Sequence, residues 1–235
     1  MFKLALGAGH GLNTAGKRCL KELDPNETRE WWLNDRICDY IEEGLKAYDG
    51  IKIMRLDDSD DGKADISLSA RTKSANSWPA DFYLSIHHNA GANGTNAGGI
   101  EAFTHPSAKG EAVEWRNELY EELIEQTGLR GNRATPKRTA NYQVLRETTM
   151  PAVLLELGFM DSKKDVPIIL SDEYAKGCAA AIVKVIARRA DLKEKKEPAE
   201  VLYKVQLGAF REKKNADKLA TELKKKGYQV YITTA

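Results

Sequence analysis

Cysteine is scarce: Cys19, Cys38 and Cys178 are the three in 235 residues, widely spaced and with no Cys-x-x-Cys pair. That excludes a disulfide framework and a cysteine-rich zinc finger. Cys38 and Cys178 fall on apolar positions of predicted helices, where a buried thiol is the simplest reading. An excess of one charge is also missing. Lys and Arg number 36 against 35 Asp and Glu, a net +1, which leaves no electrostatic footprint for nucleic acid or an anionic membrane. No apolar run approaches the roughly 20 residues of a membrane span. The run Phe2-Lys3-Leu4-Ala5-Leu6 is too short for a secretory signal. Synthesis in the cytoplasm is expected, with any action outside it needing another export route. What is present, 42% hydrophobic and 30% charged residues, describes an ordinary globular protein with one substantial core and room for a small second module.

Strand and helix patterns alternate along most of the chain, which predicts an α/β layered domain. Apolar runs at residues 2–6, 51–55, 82–86, 99–103, 143–146 and 152–156 read as strands. Helical stripes run over residues 27–48 (Leu33, Ile37, Ile41, Leu45), 68–77, 109–127 (Ala112, Trp115, Leu119, Leu123) and 174–189 (Cys178, Ile182, Val183, Ile186). Composition changes at residues 191–200, a charged stretch containing Pro198 that reads as a linker. Residues 201–235 then read as a β-α-β piece, with strands near 202–207 and 228–232, too small to bury a convincing core alone. The expected organisation is a domain over 1–190, a linker over 191–200 and a module over 201–235.

Two of only four histidines follow apolar strands directly. His10 stands in Gly7-Ala8-Gly9-His10-Gly11 and His87 in Leu84-Ser85-Ile86-His87-His88-Asn89-Ala90. Carboxyl ends of strands in open α/β sheets are where ligands gather, so the two imidazoles form a plausible metal seat. Catalytic zinc uses three nitrogen or oxygen ligands and keeps a fourth position open. Glu30, near the start of the first helix, could be the third, and Glu27, one turn earlier, competes; spacing does not choose between them. Glu156 ends the apolar strand Ala152-Val153-Leu154-Leu155. A carboxylate there is costly without a partner, and desolvation raises its pKa toward the range of a general base. Taken singly, each has a bland reading: a satisfied histidine, a first-turn carboxylate favoured by the helix dipole, a buried ion-pair member. Four positions falling where one sheet edge could collect them raise the metal hypothesis. His88 should face the opposite side from His87, and His105 sits in a Thr-His-Pro loop. The acidic run Asp57 to Asp61 lacks the EF-hand order and reads as a solvated loop, as does the basic stretch of Arg130, Arg133, Lys137 and Arg138.

These same residues carry a resemblance. Gly9-His10-Gly11, Glu30 with Asn34, Leu68-Ser69-Ala70-Arg71 with Ala75-Asn76 and Ala80-Asp81, Ser85-Ile86-His87-His88-Asn89-Ala90 and residues 151–159 (Pro-Ala-Val-Leu-Leu-Glu-Leu-Gly-Phe) resemble the amidase-3 type of zinc N-acetylmuramoyl-L-alanine amidases. Gly7-Ala8 replaces the usual Asp-Pro, and Asp35 a usual apolar residue, without removing a ligand. The resemblance implies a mostly parallel, mixed sheet flanked by helices, zinc on His10, Glu30 and His87, Glu156 as the catalytic base, and peptidoglycan as substrate. It favours Glu30 over Glu27. Rival readings are a zinc peptidase cutting within the stem peptide and a non-catalytic wall-binding protein. The tail, through residues 203–210, Asn215-Ala216-Asp217 and Lys226-Gly227-Tyr228, resembles one half of a sporulation-related (SPOR) peptidoglycan-binding repeat. The other half is expected to lie outside this sequence, or to come from a second chain in a dimer; a monomer is the first expectation. The basic stretch could meet carboxylates of the stem peptide.

Overall fold

Strands that are apolar on both faces must be covered on both faces, and the chain supplies helices to do so. The computed structural model describes residues 1–57, 62, 64–195 and 205–233. Internal contacts divide the chain into Met1–Lys195 and Lys196–Ala235.

The first unit contains strands β1 (Phe2–Ala8), β2 (Tyr48–Asp49), β3 (Ile51–Arg55), β4 (Phe82–Asn89), β5 (Ile100–Thr104), β6 (Lys137–Thr139), β7 (Ala152–Phe159) and β8 (Lys193–Glu194). Between them run helices α1 (Glu30–Leu45), α2 (Leu68–Ser77), α3 (Glu111–Thr127), α4 (Gln143–Arg146), α5 (Val166–Ile169) and α6 (Asp172–Arg189). Six strands form one mixed sheet in the order β3-β1-β4-β7-β5-β6. All neighbours are parallel except β5 against β7. The layered α/β architecture expected from the alternating pattern is what forms.

Alternate residues of each strand separate two cores. Leu4, Leu6, Phe82, Leu84, Ile86, Val153 and Leu155 pack with the α1, α3 and α6 stripes (Ile37, Leu119, Ile182 among them). Ala5, Tyr83, Phe103 and Leu154 face the other way, onto Ala75 of α2 and Val144 and Leu145 of α4. That second layer is built on the short helices α2 and α4, and the carboxyl ends of β1, β4 and β7 lie side by side. Strand order also reverses here, since the chain leaves β1 for β3 on one side and returns to β4 on the other. Crevices in such sheets open at that reversal.

Several elements differ from expectation. Residues 143–146 form the short helix α4, not a strand; a four-residue apolar run carries no period that separates the two states. The edge strand β6 was unforeseen because Lys137-Arg138-Thr139 has no apolar signature. Helix α1 starts at Glu30 rather than near residue 27, because Glu27 has φ +49° and Arg29 is extended. The stretch expected as a linker begins inside the first unit: Lys193 and Glu194 pair with Tyr48 and Asp49, and the Lys195 N–H reaches the Ala47 carbonyl at 2.7 Å. All three cysteines are free and buried.

In the second unit, α7 (Lys213–Lys225) is the element present among the described residues. The described parts of the two expected strands, 205–207 and 228–232, are not in a sheet, and Val205 and Tyr231 are exposed. A two-stranded ribbon with little to cover it is marginal in water. The start of the first expected strand, residues 202–204, lies outside the described residues.

Candidate metal centre and active site

Register assembles the site. His87 on β4 is the partner of Glu156 on β7, and Glu156 is the partner of Glu101 on β5. Three polar side chains thus stand in one row on the same sheet face. One strand over, Ala8 of β1 pairs with Ile86, which puts Gly9 beside His87. An added Cβ on Gly9 would lie 2.1 Å from His87 Cε1; only glycine leaves room for that ring. His10 follows with φ +66°, a conformation non-glycine residues adopt rarely and mostly where a site requires it.

Glu30 enters from the other side. It is the first residue of α1, where the helix dipole favours a carboxylate, and its side chain is buried. His87 Nδ1 lies 3.1 Å and His10 Nε2 3.4 Å from Glu30 Oε1. One ligand atom from each of the three falls within 4.8 Å of the others. Burial works to raise the Glu30 pKa, but the hydrogen bond and charge of His87, with His10 and Lys17, carry it down to about 2. Burial pushes His10 down to about 4 against the pull of Glu30. The result is an ionised carboxylate between imidazoles, of which His10 is held neutral, the protonation states in which these groups bind metal.

Two buried acceptors at the site remain unused. Glu30 Oε2 and Glu156 Oε2 have no hydrogen-bond partner; Lys17 Nζ is 3.8 Å from the former. Buried oxygens of this kind normally find partners, so the donor set suits a cation bound between His10, Glu30 and His87. Glu156 keeps a partly exposed side chain. Burial of its carboxyl, then the Glu30 and Glu101 charges, push its pKa well above the usual carboxylate range, Lys17 opposing.

Glu27 lies outside this cluster and pairs with Arg18 at 3.1 Å. His88 points to the opposite sheet face, with Nδ1 2.7 Å from Asn34 Oδ1, while Asn34 Nδ2 donates to the Gly9 carbonyl at 3.2 Å. His105 is in a surface loop with Ser107 and Asn141. Asp57 is buried rather than solvated and accepts from the Ala8 N–H at 2.9 Å and from Arg55; Asp58 to Asp61 lie outside the described residues.

The sequence model of the N-acetylmuramoyl-L-alanine amidases (Amidase_3) matches residues 4–188. The chain belongs to that family. A SPOR domain model matches residues 199–235 of the amidase. The sporulation-specific N-acetylmuramoyl-L-alanine amidase of Bacillus subtilis (strain 168) is 35% identical over 235 residues, covering 99% of this chain and 84% of that protein. N-acetylmuramoyl-L-alanine amidase CwlM of Bacillus licheniformis is 37% identical over 188 residues, 80% of this chain and 69% of the relative. The catalytic domain of CwlV, an N-acetylmuramoyl-L-alanine amidase from Bacillus (Paenibacillus) polymyxa var. colistinus, superposes with a TM-score of 0.71 at 26% identity, covering 82% of this chain and 100% of that one.

Two residues support the candidate site in roles that the sequence did not assign, although Arg71 lies in a stretch that carries the resemblance. Buried Arg71 of α2 donates to the Ala8 carbonyl at 2.6 Å and the His10 carbonyl at 2.9 Å, pinning the turn that presents the imidazole. Buried Glu101, beside Glu156, accepts from Asn89 and Arg138. An arginine on a helix and a glutamate in a strand give no local signal of such roles; their partners are distant in sequence. Gly9→Ala is expected to displace the His87 ring and lower kcat/KM by about 10²-fold, the cost of roughly 1 Å of misplacement. Turnover and bound zinc measured on the same preparation check it, and wild-type values for both would contradict the packing described.

Proposed function

We propose that the chain hydrolyses the amide between the lactyl group of N-acetylmuramic acid and the L-alanine of the peptidoglycan stem peptide, with zinc held by His10, Glu30 and His87. The observation that carries this reading is the convergence of His10 Nε2 and His87 Nδ1 on one oxygen of buried Glu30, with Glu156 in register with His87. The chemistry supplied by bound zinc is Lewis acidity, which makes water acidic enough to act near neutrality and polarises an amide carbonyl.

The chain's own residues do the rest. Glu156 takes the proton of the attacking water and delivers one to the departing alanine nitrogen, the double duty of a general base that then acts as general acid. The environment raises its proton affinity toward that task. Asn34 and Arg71 hold the Gly9 and His10 carbonyls so that the imidazole stays in place. The SPOR unit serves to hold the enzyme on peptidoglycan. No helix among the described residues is long and apolar enough to cross a membrane.

Digestion of purified cell wall followed by mass spectrometry tests the bond assignment. Free stem peptides beginning with alanine, and peptide-free glycan, are expected. Shortened peptides still attached to glycan would identify a stem peptidase instead, and undigested wall with bound protein would identify a wall-binding module.

A further inference from the structure

Part of the basic stretch 130–138 reaches the site without a role in the chemistry above. Buried Glu101 is fully enclosed; its Oε2 accepts from Asn89 Nδ2 at 2.8 Å, and its Oε1 from Arg138 Nη1 at 3.0 Å. Arg133 Nε lies 4.0 Å from the same Oε1. Two guanidiniums therefore answer one carboxylate, and that carboxylate is the β5 partner of Glu156. Neither arginine is enclosed: the Arg133 and Arg138 side chains are 38% and 47% exposed.

Both guanidiniums are set in place. Arg133 stacks over Phe159 at 4.9 Å and Arg138 over Phe103 at 5.4 Å. Arg138 is the β6 partner of Phe103, which puts it on the same sheet face as Glu101, Glu156 and His87. The Arg133 loop is tied down by backbone contacts, Ile100 N–H to the Leu129 carbonyl at 3.1 Å and Asn132 N–H to the Gly98 carbonyl at 3.3 Å. A Cβ on Gly99 would lie 2.2 Å from the Gly131 Cα, and both glycines have positive φ. Stacking and anchoring remove much of the rotamer entropy that a flexible arginine loses on binding.

The fork of an arginine matches a carboxylate. In the muramyl peptide the sugars are uncharged once the lactyl carboxyl is amide-bound, so free carboxylates lie on the peptide. We propose that Arg133 and Arg138, positioned by Glu101, form a subsite for the free α-carboxylate of the stem residue after L-alanine, so that the amidase discriminates against stems in which that group is a carboxamide. This rests on the function proposed above.

The test uses two muramyl tripeptides with amidated C-termini, identical except for a free α-carboxylate or a carboxamide on the second residue, with the full zinc-loaded chain. Wild type is expected to show kcat/KM about 10-fold higher on the carboxylate form, through KM, as for a charge-assisted contact. Arg133→Gln, in an exposed loop, should collapse that ratio toward one, and Arg133→Lys should restore part of it. Equal wild-type rates on the two substrates, or an equal fall on both in Arg133→Gln, would overturn the subsite while leaving the amidase reading intact. Cleavage of neither by wild type would overturn both.

Discussion

Glu156→Gln is expected to lose about 10²- to 10⁴-fold in kcat, the range supplied by a positioned acid–base group, while folding and binding zinc as wild type does. The substitution keeps the shape and removes a carboxyl that burial and the Glu30 and Glu101 charges disfavour in its ionised form. Unfolding temperature should therefore not fall. Glu156 is also one strand away from the Glu30 cluster and has a buried oxygen that no protein group satisfies, so its loss leaves the three proposed metal-binding atoms in place. Release of stem peptide from a soluble muramyl peptide, with zinc content and thermal unfolding on the same sample, checks the outcome. A variant retaining more than a tenth of wild-type kcat would remove Glu156 from the role of base.

Glu30→Ala should be more drastic, because it removes metal and activity together. Both imidazoles converge on Glu30 Oε1, and the His88 N–H also donates to it at 3.3 Å. Without the carboxylate, the neighbouring donors point at a void and the proposed zinc site keeps two of its three ligands. Zinc affinity is expected to fall by more than the roughly 100-fold that follows loss of a supporting partner, and turnover to fall to background. Glu27→Ala is the matched control: its carboxylate pairs with Arg18 at the surface, and zinc content and rate should stay at wild-type levels. Equilibrium dialysis against zinc decides. Stoichiometric zinc in Glu30→Ala, or its loss in Glu27→Ala, would refute the proposed ligand set.

The central strands and long helices were legible in the sequence for a simple reason. Leu33, Ile37 and Ile41, or Cys178, Ile182 and Ile186, repeat at a period only a helix satisfies, and strands such as Ala152–Phe159 must be buried on both faces. Short elements failed because their states are set by what they touch. Val144 and Leu145 became helical under the sheet, and β6 exists because β5 offers it an edge. The tail's expected strands have no sheet among the described residues to join.

For the site, two histidines and one glutamate after apolar runs could be picked from the chain because imidazoles and a carboxyl at the ends of buried strands run against the grain of their surroundings. Their spatial relation could not. The left-handed turn at His10, the start of α1 that separates Glu30 from Glu27, and the His87–Glu156–Glu101 row depend on strand order and register. Local sequence thus determined which segments would be strand or helix and which polar residues were out of place, since periodicity and burial cost act over a few residues. Tertiary structure alone decided which of those residues meet, because helix packing and strand pairing join positions 57 and 69 residues apart, as in Glu30 of α1 with His87 and His87 with Glu156 across the sheet, that no local signal connects. Charge placement followed the same rule: Arg133 and Arg138 read as solvated until Glu101 drew them to the site.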